Sequence, residues 1–228
     1  MLILCYTKIV IMIIQWFGQA CFKIQAKPGP GQEVTVVFDP FDPSKLGLKL
    51  PKLSGDIVAV THNHFDHNYL SGVNGNYFLI DGPGEYEVKG VFVYGLEAYH
   101  DNKRGQERGG ITMYSLAAEG ISLAHLGDLG QTELTSEQME HLEGTDIVLL
   151  PVGGTYTIDA KQAAQIVAQI EPRLIIPMHY RLPGLKTDLQ EVDKFVKEMG
   201  MKAETLDKLK ITKKDLPSDE SRLVILAT

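Results

Sequence analysis

The stretch His62-Asn63-His64-Phe65-Asp66-His67-Asn68 places three histidines and an aspartate at HxHxDH spacing, directly after the apolar run Asp56-Ile57-Val58-Ala59-Val60. A short apolar run bounded by turn formers reads as a buried strand, so the histidine-rich segment is the loop which that strand feeds. Imidazole nitrogen and carboxylate oxygen are the donors that a borderline cation such as zinc prefers. In an extended segment alternate side chains point the same way, so His62 and His64 are able to share one ion. Once the loop turns, Asp66 and His67 face a second. One loop cannot complete two coordination shells, and the rest of the chain has to supply donors.

Seven histidines in all leave His100, His125, His141 and His179. His100 closes the β-like run Val91-Phe92-Val93-Tyr94-Gly95-Leu96-Glu97-Ala98-Tyr99, and His179 follows Arg173-Leu174-Ile175-Ile176-Pro177-Met178. Strand ends that feed loops are where α/β folds place their chemistry, which makes both candidate ligands. Between them lies Ile121-Ser122-Leu123-Ala124-His125-Leu126-Gly127-Asp128-Leu129-Gly130, where a strand ends in Gly-Asp with a second glycine two residues on. An aspartate among small, flexible residues can bring its carboxylate close to two cations and offset their repulsion. His125 reads either as a core histidine satisfied by backbone or as a support behind the ligands. His141 lies in a capped polar helix beginning at Thr135 and reads as solvated.

These residues together resemble the metallo-β-lactamase superfamily, and within it the small zinc-dependent hydrolases of the L-ascorbate-6-phosphate lactonase-like branch. The resemblance runs from about Met12 to the C-terminus and rests on five motifs in the family's order. They are Val37-Phe38-Asp39-Pro40-Phe41, the HxHxDH loop, the His100 strand end, Gly127-Asp128, and Pro177-Met178-His179-Tyr180. The resemblance implies an α+β fold, a single domain built as a four-layer αββα sandwich. It also implies a ligand set in which His62, His64 and His100 hold one metal, Asp66, His67 and His179 hold a second, and Asp128 bridges. Asp39 is implied as the residue that orients the HxHxDH loop from beneath; as a plain sequence feature it is a turn aspartate before proline. The cysteine ligand of many antibiotic-hydrolysing members is absent, and His64 stands where the di-iron oxygen-reducing relatives carry glutamate.

At 228 residues with 44% hydrophobic content, the chain is able to bury one sizeable core. Net charge −7 and a pI near 5.5 leave no electrostatic footprint for nucleic acid, so no nucleic-acid partner is expected. Two cysteines, Cys5 and Cys21, make neither a disulfide framework nor a thiolate metal site, which fits a reducing cytoplasm. The apolar segment Leu2 to Ile14 is broken by Lys8 and too short to span a bilayer; it lacks a signal peptide's pattern, so no membrane partner is expected. Residues 1–11 read as an N-terminal extension before a hydrolase domain over 12–228. The sequence sets no oligomeric state. Strand-like runs fill the first half, and helices are predicted over Asp159–Ile170 and over Thr187–Met199, the latter from the capping-box pattern Thr187-x-x-Gln190.

The expected chemistry is metal-assisted hydrolysis. Two divalent ions, zinc first with manganese or nickel as alternatives, would share a water whose pKa falls from 15.7 toward roughly 7. The resulting hydroxide would attack a small ester, lactone or phosphorylated substrate, with Asp66 as ligand and proton carrier. A phosphodiesterase for nucleotides and a non-catalytic metal-binding protein are the alternatives. Two loops are candidates for substrate contact. In one, Gly153, Gly154 and Tyr156 follow a strand, where backbone amides are placed to cradle an anion. In the other, just beyond His100, Arg104 or Arg108 offers a cation to a small anionic substrate.

Overall fold

The computed structural model describes residues 11–228. The expected N-terminal extension, and Cys5 with it, therefore lies almost wholly outside the described residues. The chain runs β1 (Met12–Trp16), β2 (Phe22–Gly29), β3 (Gln32–Phe38), α1 (Pro43–Leu46), β4 (Leu53–Ser54), β5 (Ile57–Ala59), β6 (Val73–Asn74), β7 (Phe78–Ile80) and β8 (Gly84–Val88). It continues through β9 (Val91–Tyr99), β10 (Gly110–Ala118), β11 (Ile121–His125), α2 (Ser136–Leu142), β12 (Ile147–Pro151), α3 (Ala160–Ile170) and β13 (Leu174–Met178). The last elements are α4 (Val192–Met199), β14 (Ala203–Leu206), β15 (Leu209–Ile211) and β16 (Arg222–Leu226).

Two sheets face each other. One has six strands in the order β15-β1-β2-β3-β5-β7; the other has eight in the order β14-β16-β13-β12-β11-β10-β9-β8. The period-2 pattern of β3 shows why the smaller sheet is covered on both sides. Val36 and Phe38 join the core shared with the larger sheet, while Val37 between them joins a second cluster with Phe41, Leu46, Leu185 and Leu189. That second cluster is roofed by the one-turn helix α1, by the two-stranded sheet β4-β6, which contributes Leu53 and Val73, and by loops. On the larger sheet the strands β12 and β13 are buried throughout, as strands covered on both faces must be. Helix α3 turns Ala163, Ile166, Val167 and Ile170 into the same core, as its spacing requires. The result is a single domain of the expected sandwich type, with a thinner outer layer over the smaller sheet.

Strand direction gathers the candidate ligands. In the smaller sheet β2 is antiparallel to β1 and β3, and β5 is parallel to β3, so β1, β3 and β5 run the same way. In the larger sheet β9 is separated from β11 by the antiparallel β10, and β11, β12 and β13 are parallel. Each of these strands releases its loop beyond its carboxyl end, the end at which open α/β sheets bind ligands.

The helix predicted from Thr187 starts instead at Val192. Its N-cap, Glu191, makes no side-chain capping bond. The reason is tertiary: the Gln190 N–H donates to Gly153 O and the Gln190 carbonyl accepts from Arg181 N–H, while Leu189 is buried in the outer cluster. Residues 187–190 are thereby held as a packed loop. His141, expected to be solvated, stacks on Tyr94 with ring centroids 4.0 Å apart.

Candidate metal centre

Beyond β5 the chain reaches Thr61 and then the HxHxDH loop. His62 Nε2 and His64 Nδ1 come within 2.9 Å of each other, and the rings of both lie against that of His100. Asp66, His67, Asp128 and His179 form a second group, and in each group the donor atoms all lie within 4.8 Å of one another. Asp128 joins the two. Its Oδ2 is 3.2 Å from His67 Nε2, 3.3 Å from His179 Nε2 and 3.4 Å from His100 Nε2. Donors on a tetrahedral ion with bonds of about 2.0–2.1 Å stand about 3.3 Å apart, so these separations suit a shared cation. All seven sequence-derived ligand candidates are brought together.

The donors also fit a metal in their protonation. His67 Nε2 and Asp128 Oδ1 are buried with no hydrogen-bond partner among the described residues, atoms that a cation would satisfy. Asp39, fully buried, accepts from Thr61 N–H and Thr61 Oγ1–H, each at 2.8 Å, and from His67 Nδ1–H at 2.9 Å. With its single proton donated to Asp39, the Thr61 hydroxyl is left to accept from His62 Nδ1 at 3.0 Å. Asp39 and Thr61 thus place the protons of His62 and His67 on Nδ1 and leave both Nε2 lone pairs for an ion. Asp39 takes the position beneath the loop that the resemblance implied. Thr61 was not identified from sequence, where it is only a threonine after a strand.

The electrostatics are those of a site built to hold positive charge. Burial opposes charge on His67, yet the carboxylates of Asp128 and Asp39 outweigh it and hold its pKa well above the usual histidine range. Burial likewise pushes the Asp128 carboxyl up, and the rings of His179 and His67 overcome it and hold it well below the usual range. Burial first, then repulsion from His67, drives the His62 pKa down. His100 also lies low, again chiefly through burial.

His125 belongs to the core. Its Nε2–H donates to Ala20 O at 2.9 Å, its Nδ1 accepts from Gly127 N–H at 3.1 Å, and its ring stacks on Phe38 at 4.8 Å. Both nitrogens are engaged as in a neutral ring, and burial drives its pKa down accordingly. The Gly127 bond is a local one, closing on the turn that follows β11. On the other side of Asp128, a Cβ at Gly130 would stand 2.3 Å from the His100 carbonyl carbon, so only glycine lets this turn approach the His100 strand end.

A cavity of about 480 Å³ opens over the two groups, lined by His64, Asp66, His100, Asp128 and His179 below and by Phe65, Glu107, Arg108, Tyr156 and Thr187 around the mouth. Arg108 lies over the Tyr156 ring at 5.2 Å and donates to Thr155 O at 3.4 Å. Its loop is built on Asp101, whose carboxylate accepts from the N–H groups of Lys103, Gly105, Glu107 and Arg108. Burial raises the Asp101 pKa, but these four donors outweigh it and hold it below the usual carboxylate range. Arg104 is exposed, outside the cavity lining. Gly153 and Gly154 also depart from expectation. The Gly154 N–H donates to Ile158 O, and the Tyr156 and Thr157 N–H groups donate to Gly154 O, so those amides are engaged within the turn. Gly153 is small because a Cβ there would meet His179 O at 2.1 Å. Only Tyr156 of that trio faces the cavity.

Residues 13–179 match the model of the beta-lactamase superfamily domain. The chain is 31% identical over 206 residues to a UPF0173 metal-dependent hydrolase of Methanoculleus marisnigri, covering 79% of this chain and 86% of that protein. It is 29% identical over 211 residues to the one from Staphylothermus marinus, covering 81% and 90%. Among solved structures it is similar to a candidate Zn-dependent hydrolase of the metallo-beta-lactamase superfamily from Thermotoga maritima. The two share 36% identity and a TM-score of 0.76, over 95% of this chain and 100% of that one.

Proposed function

We propose, from the premise that the chain belongs to the metallo-β-lactamase superfamily of metal-dependent hydrolases, that it uses two divalent ions to hydrolyse a small ester, lactone or phosphorylated substrate. The observation that carries this reading is the meeting of two donor groups at Asp128. His62, His64 and His100 would hold one ion, Asp66, His67 and His179 the other, with Asp128 between them. A donor set of imidazoles and carboxylates favours zinc, with manganese and nickel next. When bound, the two ions supply Lewis acidity and bring the pKa of a water from 15.7 down to roughly 7.

The chain's own groups do the rest. Asp66, its side chain 15% exposed at the cavity floor, orients the attacking water and takes up its proton. The cavity has the size of small-molecule sites. Phe65 and Tyr156 offer apolar wall, and Arg108 offers one charge-assisted donor to a carboxylate or phosphate. Net charge −7 weighs against a large polyanion. The resemblance to lactonase-like members makes a sugar-phosphate lactone the first substrate to try.

Metal-replete protein is expected to carry close to two ions per chain by elemental analysis and to turn over a chromogenic lactone or phosphate ester. Arg108→Ala should raise KM for an anionic substrate about 10-fold, the scale of one partly exposed charged hydrogen bond, and spare a neutral lactone. Arg104→Ala should change neither. One ion or none would sink the two-ion reading, and preferential cleavage of nucleotide phosphodiesters would replace the substrate class.

A further inference from the structure

Gln19 is a fully buried polar residue at the second donor group that the hydrolytic chemistry does not use. It follows β1 in the turn Gly18-Gln19-Ala20 and has a left-handed backbone, φ +49°. Its side-chain Nε2 lies 3.4 Å from Asp66 Oδ2 and 3.3 Å from His179 Nε2, and its Oε1, also buried, has no hydrogen-bond partner among the described residues. Its backbone carbonyl accepts from His179 N–H at 3.1 Å and from the Trp16 indole N–H at 2.9 Å. One residue therefore touches two members of the Asp66–His67–Asp128–His179 group, one of them through both side chain and main chain. Its side-chain amide contacts go to that group and not to His62, His64 or His100, and with an ion on His179 Nε2 the amide N–H is left to Asp66.

We propose that Gln19 is a positioning residue for the second metal site alone, a reading that rests on the two-ion function above. Donation of an amide N–H to one lone pair of Asp66 Oδ2 fixes the carboxylate so that another lone pair faces His67 and His179. The Gln19 carbonyl fixes the main chain of His179, itself left-handed at φ +52°. Left-handed backbone is strained for residues other than glycine, and two such residues joined by a hydrogen bond persist only where the surroundings hold them. The chemistry also suits a neutral donor. Lysine or arginine here would neutralise Asp66 and compete with the cation, whereas an amide orients the carboxylate and leaves its charge for the ion. Gln19 does not line the cavity, so it acts through Asp66 and His179 and not on substrate.

The test is a stepwise zinc titration, by calorimetry, of metal-free native protein and of Gln19→Leu, which keeps the volume and removes the amide. Gln19→Met, unbranched like glutamine, stands in if the leucine variant does not fold, and thermal unfolding of each metal-free protein reports on folding separately. One of the two equivalents should bind about 10–100-fold more weakly in the variant, with the other unchanged. Two equivalents bound with native affinities would overturn the inference, as would equal weakening of both, which marks general loosening. A native protein that takes up only one ion would instead overturn the two-ion reading beneath it.

Discussion

Asp39 and His125 are both buried polar side chains behind the ligands, and the difference between them shows how little a residue type says about its role. Asp39 reaches His67 directly and His62 through Thr61, so it acts on two candidate ligand rings at once. His125 reaches no ligand; it bonds to Ala20 O and Gly127 N–H and fills space against Phe38. From the sequence both readings of His125 were open, because spacing places a side chain near Asp128 without saying on which side of the strand its partners lie. The structure decides for packing. His125→Ala is therefore expected to lower folding stability by about 2–4 kcal/mol, the range for emptying a core site, while the folded fraction keeps its metal. His179→Ala should do the reverse, losing the second ion with a smaller change in metal-free stability. Urea denaturation paired with elemental analysis separates the two, and loss of metal from folded His125→Ala would contradict the assignment.

Elements differ in how far local sequence governs them. Helix α3 begins where its cap says: Asp159 Oδ1 accepts from Gln162 N–H and Gln162 Oε1 accepts from Asp159 N–H, both at 2.9 Å. The same pattern at Thr187 and Gln190 caps nothing, since the main chain of Gln190 is bonded to Gly153 and Arg181 before it can enter a helix. A four-residue pattern is a local preference of about 1 kcal/mol, and two tertiary hydrogen bonds with a buried Leu189 exceed it. Asp159→Ala should thus cost about 1 kcal/mol in urea denaturation, whereas Thr187→Ala should cost less than about 0.5 kcal/mol. Equal losses would mean that Thr187 does carry a cap. Strands were easier to read: Val91–Tyr99 has the predicted bounds, β13 starts one residue inside the run Arg173–Met178, and β5 lies one residue inside each end of the run Asp56–Val60. Those runs are buried on one or both faces, which is the property that periodicity measures.

At the scale of the whole molecule, the candidate ligands come from both sheets. His62, His64, Asp66 and His67 follow β5 of the smaller sheet, while His100, Asp128 and His179 follow β9, β11 and β13 of the larger. Ions held between them would tie the two halves of the sandwich and bind the folded chain alone. Chelation should therefore lower the Tm, and restoring free zinc to about 1,000 times its Kd should return about 4 kcal/mol per site. An unchanged Tm in differential scanning calorimetry, with metal removal verified, would show that the site is not linked to folding. Much of this protein was decided by the sequence alone. Seven donor residues, each just beyond an apolar run, gave the ligand candidates, because metal chemistry tolerates few residue types and strand burial leaves a strong periodic trace. Tertiary structure alone decided the rest. Gln19 and Thr61 became part of the site, Arg108 faced the cavity while Arg104 did not, and residues 187–190 became loop. These outcomes depend on hydrogen bonds and packing between segments as far as 160 residues apart, as for Gln19 and His179, and no local pattern records such meetings.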